Sequence, residues 1–347
     1  MSFETFLIEK TIIVFIIFGI TLAVAAYSTY GERKIAAFLQ DRIGPYRAGP
    51  HGILQPLADG LKMMTKEDFV PSSASKLLYH MAPGLSMVVA LMVSAIIPWG
   101  KSLIIGGKEV ALQVTDLNVG ILYVLGVVSL GVYGVMIGGW ASNNKYSLMG
   151  GLRASSQMIS YELPMGLSLI ALMMVTGTMS FSEIAVQQSG WNGMQWNIIY
   201  QPLGFIIFLI CAFAEAQRTP FDLPECEAEL VGGYHTEYSS MKLGFYLFAE
   251  YAHMFVSSAI MSTLYFGGYN FPGINTLYHI LPHNVVTMIG VGVLFVKTLF
   301  FIFLFMWVRW TIPRFRYDQL MGLGWKKLVP LAIVNIIITA AVVLIAK

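Results

Sequence analysis

Eight stretches of mostly apolar residues constrain this chain more than any other feature. They lie at roughly 11–30, 77–100, 117–140, 156–181, 199–216, 241–266, 284–308 and 328–346. A helix rises 1.5 Å per residue, so a stretch of about 20 residues crosses the roughly 30 Å hydrocarbon core of a bilayer. Backbone groups in hydrocarbon must bond among themselves, which makes each segment a helix. The predicted fold class is an all-α polytopic membrane protein of about eight transmembrane helices, with residues 1–347 forming a single membrane domain. Only 12% of the residues are charged, about half the share of an ordinary soluble domain. The first stretch is not read as a signal peptide. Ala23-Val24-Ala25 resembles a cleavage site, but Glu4 and Glu9 outnumber Lys10 ahead of it.

Lysine and arginine sort to one side. Loops 1, 3, 5 and 7 carry 16 of the 21 basic residues; Lys10, Lys101, Lys108 and Lys347 lie on the other side, and Lys297 is inside a span. Basic loops stay cytoplasmic, so both termini are expected outside. A net charge of +2 with no basic and aromatic cluster gives no reason to expect a nucleic-acid partner. The two cysteines, Cys211 and Cys226, are 15 residues apart and form neither a metal motif nor a disulfide framework. Any redox centre is therefore expected in another polypeptide, with no metal ligands and no catalytic nucleophile here. Nucleotide-binding and hydrolase motifs are missing from the sequence, and the spans do not fall into two matching halves as in many carriers.

Loop 1, residues 31–76, is too long for a simple connection and too apolar for a solvated tail. Ile53, Leu54, Leu57, Leu61 and Met64 recur at helical spacing, with Asp59, Lys62 and Lys66 on another face. The pattern predicts an amphipathic helix at the membrane interface. Such a helix either anchors the loop or frames an opening for a lipid-soluble molecule. The Gly44-Pro45, Gly49-Pro50 and Gln55-Pro56 breaks keep the approach irregular. Glu32, Arg33, Asp41 and Arg42 are expected to line something wet.

Ionisable side chains inside spans cost about 2.5–3.5 kcal/mol each at the centre, so each suggests a function. Glu162, Glu215, Glu250 and Lys297 are the four candidates. Glu162 and Glu215 are placed near the cytoplasmic ends of their spans. Glu250 and Lys297 share a depth near mid-membrane that allows them to pair. Tyr246, Glu250, His253 and Ser257 form a polar stripe at i, i+4, i+7 and i+11. Such polar groups either hold the bundle together or relay protons through carboxyls of separated pKa. Loop 5, from Ala214 to Ser240, adds Asp222, Glu225, Glu227, Glu229 and Glu237, and Pro220 and Pro224 break any helix across it. An acidic funnel leading inward is expected.

Four long motifs carry a family resemblance: GERKIAAFLQDRIGPYRAGPHGILQPLADGLKMMTKED, ASSQMISYELPMGLSL, AEAQRTPFDLPECEAELVGGYHTEYSSMKLGFYLFAEY and WVRWTIPRFRYDQLMGLGWKKLVPLAI. From about residue 10 to 340 the chain resembles the H-type membrane subunits of proton-pumping NADH–quinone oxidoreductase, respiratory complex I. The resemblance implies an eight-span joint between a hydrophilic arm and a proton-pumping membrane arm. Glu32 and Arg33, with Arg42, Asp59 and Lys62 nearby, match the quinone chamber, and Ile53, Leu57 and Met64 belong to the helix framing its entrance. Glu162, Glu215 and Glu250 match embedded acids of the proton path. Arg218, Asp222, Glu225, Glu227 and Glu229 match the loop that links path and chamber, and Lys297 fits the seventh span. The implied substrate is ubiquinone or menaquinone, with iron–sulfur clusters and FMN held by partner subunits. Implied partners are peripheral-arm iron–sulfur and quinone-site subunits, small membrane subunits, antiporter-like subunits and membrane lipids, in a bacterial inner membrane. A secondary transporter or cation channel would use the same acids but leaves loop 1 unexplained. The equivalent component of a membrane-bound hydrogenase would not need the full loop 1.

Overall fold

Every apolar segment of the sequence is a helix in the computed structural model, which describes residues 3–223 and 231–346. In chain order the helices are α1 (Phe3–Leu39), α2 (Gln55–Thr65), α3 (Lys76–Ser94), α4 (Gly120–Ala141), α5 (Lys145–Thr176), α6 (Phe181–Gln187), α7 (Pro202–Glu215), α8 (Ser240–Tyr265), α9 (Ile274–Ile280), α10 (His283–Thr311), α11 (Tyr317–Gly322) and α12 (Val329–Ala346). The predicted amphipathic helix is α2. Among the described residues, six helices are long and apolar enough to cross a membrane: α1, α3, α4, α5, α10 and the continuous unit of α11, the π-helical turn Leu323–Leu328 and α12.

The two remaining predicted spans bear the acids. Helix α7 has 14 residues, about 21 Å, and falls short of a hydrocarbon core of about 30 Å. Pro202 starts it, in the first turn where a missing N–H costs nothing. Helix α8 has 26 residues but spends part of that length on Lys242, Glu250 and His253. Helix α5 begins at Lys145, well before the predicted span, because Asn144 caps it by accepting from the Tyr146 N–H at 2.9 Å. Glu162 consequently lies near the middle of a 32-residue helix, not close to the end of a span.

Hydrogen bonds tie the odd connections to one another and the even ones to one another, which gives the bundle a basic end and an opposite end. At the basic end Ser75 N–H donates to Ala141 O at 3.1 Å and Tyr79 Oη to Glu237 O at 2.6 Å. At the opposite end a two-stranded antiparallel hairpin, β1 (Ser102–Ile105) and β2 (Lys108–Ala111), meets the start of α10. The Asn284 amide bonds both backbone groups of Ile104, each at 2.8 Å, and so satisfies an edge that would otherwise stay open.

Helices α5 and α8 hold the centre. The first packs on α4, α7 and α12, the second on α1, α3 and α10. Helix α4 approaches its neighbours closely because Gly138 and Gly139 face them: a Cβ on Gly138 would overlap the Tyr246 hydroxyl, and one on Gly139 would press on α5 backbone. Small residues at such contacts are how membrane helices pack tightly.

Candidate functional site

The strongest concentration of charge is buried where α1, α8, α10 and the segment after α7 meet. Glu32 of α1 is 5% exposed and has both carboxylate oxygens occupied. Arg309 Nη1 of α10 reaches Oε1 at 2.7 Å; Arg218 Nη1 and Tyr251 Oη reach Oε2 at 3.2 and 2.8 Å. Arg218 Nη2 lies 3.7 Å from Glu250 Oε2, and the guanidinium sits 4.0 Å above the Tyr251 ring. Tyr234 Oη donates to Glu250 Oε1 at 3.3 Å. Among the described residues, two carboxylates and two guanidiniums thus form one contact set. Buried charges persist only when paired and bonded in this way. Burial opposes the Arg218 charge, yet Tyr251, Glu32 and Glu250 outweigh it and raise the guanidinium pKa above its ordinary value.

The backbone that carries Arg218 is fixed from α5. Gln157 Nε2 donates to Ala214 O, in the last turn of α7, at 2.8 Å and to Phe221 O, in the segment after it, at 2.6 Å. Asp222 is anchored by Arg314 Nη2 at 2.9 Å. His235 is close to it, and burial lowers that imidazole's pKa, with Asp222 acting in the opposite direction.

A cavity of about 380 Å³ opens over this charge set. Glu32, Arg33, Arg218, Glu250, Tyr251 and Arg309 form its inner part, and α2 forms its mouth through Pro56, Asp59, Gly60, Met63 and Met64, with Lys62 beside them. Helix α2 is tethered by the Arg33–Asp59 ion pair at 2.8 Å and by Ser240 Oγ donating to Met63 O at 3.0 Å. Arg42, Ile53 and Leu57 are not on the cavity wall. Arg42 bonds Gln40 at 2.7 Å in the loop after α1. Leu57 is 61% exposed and off that wall, although Met64, seven residues on and on the same face of α2, does line it.

Glu250 also lines a second cavity of about 30 Å³, together with Glu215, Gln217, Tyr234, Tyr246 and His253. Glu215 in turn lines a third, of about 20 Å³, with Ser257 of α8. Both are large enough to hold water. Glu215 Oε1 and Gln217 Oε1 are buried acceptors with no hydrogen-bond partner among the described residues. Glu162 accepts from Ser129 of α4 and lies close enough to Glu215 for their charges to interact. The predicted acids Glu32, Glu250, Glu215 and Glu162 therefore fall in one series, joined by shared cavity walls and short contacts.

Lys297 is elsewhere. Its ammonium donates to Phe266 O, Gly268 O and Asn270 O at 2.7, 2.9 and 2.5 Å, and lies 4.9 Å from the Trp196 ring centre. Those carbonyls follow the C-terminus of α8, where a cation is favoured by the helix dipole. Glu250 is 15 residues back along α8 from Tyr265, about 22 Å, so the two are not brought together. Glu225, Glu227 and Glu229, and Cys226 between them, lie outside the described residues.

Sequence reasoning does not single out Tyr251, Tyr234, Arg309 or Ser129. Arg309 counts in the sequence only as a marker of sidedness, although its place at the last turn of a span already puts it within reach of the interior. The tyrosines carry no signal, since their hydroxyls gain meaning only from the helices opposite.

Comparisons with known proteins identify the family. The family model described as NADH dehydrogenase matches residues 11–340. The chain is 66% identical over 340 residues to an H-type subunit of NADH-quinone oxidoreductase from Cytophaga hutchinsonii, covering 98% of each chain. It is 61% identical to the corresponding NADH-quinone oxidoreductase chain of Flavobacterium johnsoniae, covering 98% of this chain and 97% of that one. Against an H-type chain of NADH-quinone oxidoreductase from Geobacter metallireducens the identity is 49%, over 93% of each. The chain belongs to the NADH dehydrogenase family, as a multi-pass membrane subunit of the H type.

Proposed function

We propose that the chain forms the entrance and inner chamber for quinone in a proton-translocating NADH–quinone oxidoreductase, and that it couples quinone reduction to proton movement through its embedded carboxylates. One observation carries the reading: Glu250 belongs to two cavities, the large one framed by amphipathic α2 and the small one that leads to Glu215. Reducing a quinone to a quinol takes two electrons and two protons. The electrons come from iron–sulfur centres, fed by FMN, in partner subunits. The protons and the charge they balance are handled beside Glu32, Arg218 and Glu250.

A change of charge at the quinone end alters the pairing of Arg218, which touches both Glu32 and Glu250. Glu250 then exchanges a proton with the water-sized cavity behind it, and Glu215 and Glu162 pass the change onward. Asp222, Glu225, Glu227 and Glu229 extend the link on the cytoplasmic side. Glu162 is only partly buried, which suits hand-over to small membrane subunits and, beyond them, antiporter-like subunits. The basic end faces the cytoplasm of a bacterial inner membrane and receives the peripheral arm.

The test is replacement of Glu215, Glu250 or Glu227 by Gln in the assembled complex. Quinone-reductase turnover and pumping fall while assembly survives. Normal turnover with a normal proton-to-electron ratio in these variants would remove the relay role. Quinone photo-crosslinking to residues 31–64 tests the chamber. Solute or ion flux from the purified chain alone would favour a carrier or channel instead.

A further inference from the structure

We propose that His253 is a proton-carrying member of this path, lying between Glu250 and Glu215; the inference rests on the relay reading above. Helix α8 places Tyr246, Glu250, His253 and Ser257 on one face. The first three line the cavity of about 30 Å³, and Ser257 lines the next one, of about 20 Å³, with Glu215 common to both. His253 is thus one turn beyond Glu250 in the direction of Ser257, a rise of about 4.5 Å.

Its bonding differs from that of most hydroxyls on this helix. Ser258, Ser262 and Thr263 each donate to a carbonyl one turn back, at 2.7, 2.8 and 2.8 Å, and Tyr246 donates to Gly134 O at 3.1 Å. His253 has no hydrogen-bond partner among the described residues, and its ring opens on a cavity that also holds the partnerless acceptors Glu215 Oε1 and Gln217 Oε1. A water between these groups would donate to Glu215 Oε1 and Gln217 Oε1 and meet the imidazole.

Imidazole suits transfer in a way that an amide does not. It accepts a proton at one ring nitrogen while the other nitrogen gives its own away, and no bond other than N–H is made or broken. Here a proton leaving the Glu250 side through water binds the near nitrogen, the ring becomes imidazolium, and the far nitrogen releases its proton through water to the Glu215 carboxylate. Exchange of tautomer or rotation of the ring resets the residue. Tyr234, Tyr246, Glu215 and Glu250 are the titratable groups that share this cavity.

The experiment uses the whole complex in native membrane vesicles, normalised to assembled enzyme. His253→Asn and His253→Gln retain a side chain that bonds water but cannot pass a proton through, and His253→Glu restores a titratable group. A positioned proton-transfer group contributes about 10²–10⁴-fold. Turnover coupled to pumping is expected to fall at least about tenfold in both amide variants, with the thermal midpoint of the complex unchanged and with part of the rate regained by His253→Glu. Wild-type turnover and proton-to-electron ratio in either assembled amide variant would overturn the proposal. So would a loss that His253→Glu fails to relieve, since packing alone would then account for it. Glu215→Gln separates the levels: if it too behaves as wild type, the relay reading fails; if it is silent while His253→Asn is normal, only the role of His253 fails.

Discussion

Replacing Arg218 by Gln removes the guanidinium that reaches both Glu32 and Glu250. Glu32 and Glu250 contribute two negative charges, Arg218 and Arg309 two positive ones, all in one contact network. Without Arg218 both carboxylates lose a cationic neighbour in a site where Glu32 and Arg218 are 7% and 4% exposed at the side chain. Breaking one partner out of a buried pair costs about 3–5 kcal/mol, a factor of roughly a hundred to a few thousand at about 1.4 kcal/mol per decade. Glu32 keeps Arg309 and Tyr251, and Glu250 keeps the 3.3 Å bond from Tyr234. Adding Glu32→Gln removes a carboxylate that Arg218 had paired, and is expected to recover about 1–3 kcal/mol of coupling. The assay is retention of the assembled complex in native membranes after graded heating, run on wild type, both single variants and the double variant. A wild-type midpoint for Arg218→Gln, or a double variant that loses as much as the two singles together, would refute the charge-pairing reasoning.

Gly138→Ala puts a methyl group into the Tyr246 hydroxyl and forces that side chain off the carbonyl of Gly134; overpacking of this kind costs about 1–3 kcal/mol, read as a lower heat midpoint. Gly126→Ala, on the same helix with nothing within 4 Å, leaves it unchanged. His235 has its pKa lowered by burial from the ordinary 6.5, so the unfolded chain binds a proton there before the folded one does. Stability from this group is fully present above pH 6.5 and declines as the pH falls below it, by about 1.4 kcal/mol for each unit of lowering. Amide protection factors over residues 231–239, which compare observed with intrinsic exchange, should fall on acidification, and His235→Phe should flatten that dependence.

The eight apolar segments were legible as helices because hydrophobic length marks them, the short α6, α9 and α11 were not, and the amphipathic α2 was legible because its two faces alternate at helical spacing. The same periodicity was a partial guide to which residues of α2 meet the cavity. Of its apolar stripe, Leu57 and Leu61 are exposed and off the wall, whereas Met64 joins Pro56, Asp59, Gly60, Lys62 and Met63 in forming it. Depth was less legible than identity. Glu250 and Lys297 look level when counted from span boundaries, but carbonyls released at the end of α8 hold Lys297 about 22 Å away from Glu250 along that helix. Hydropathy cannot report such a contact, because three backbone oxygens have no signature in a side-chain pattern. Arg218 was legible as a candidate but its partners were not, since Glu32 is 186 residues distant in sequence.

Helix α7 bears on how voltage is felt inside the protein. At 14 residues it is about 21 Å long, and polar groups stand at both its ends: Gln201, bonded to Thr339 and Asn335 at 2.8 and 3.1 Å, and Glu215 with Gln217 and Arg218. Those groups bring polarisable matter inward from each face, so the membrane potential drops over a shorter insulating distance here than across the surrounding lipid. Carrying one charge through the full potential costs about 2.3 kcal/mol per 100 mV. Along α7 that cost is concentrated between Glu215 and Gln201, which leaves Glu32, Glu250 and Glu215 nearly level electrically. On the relay proposed above, redistributing protons among these three then costs little against the field, and the steep part of the climb falls to whatever accepts them next.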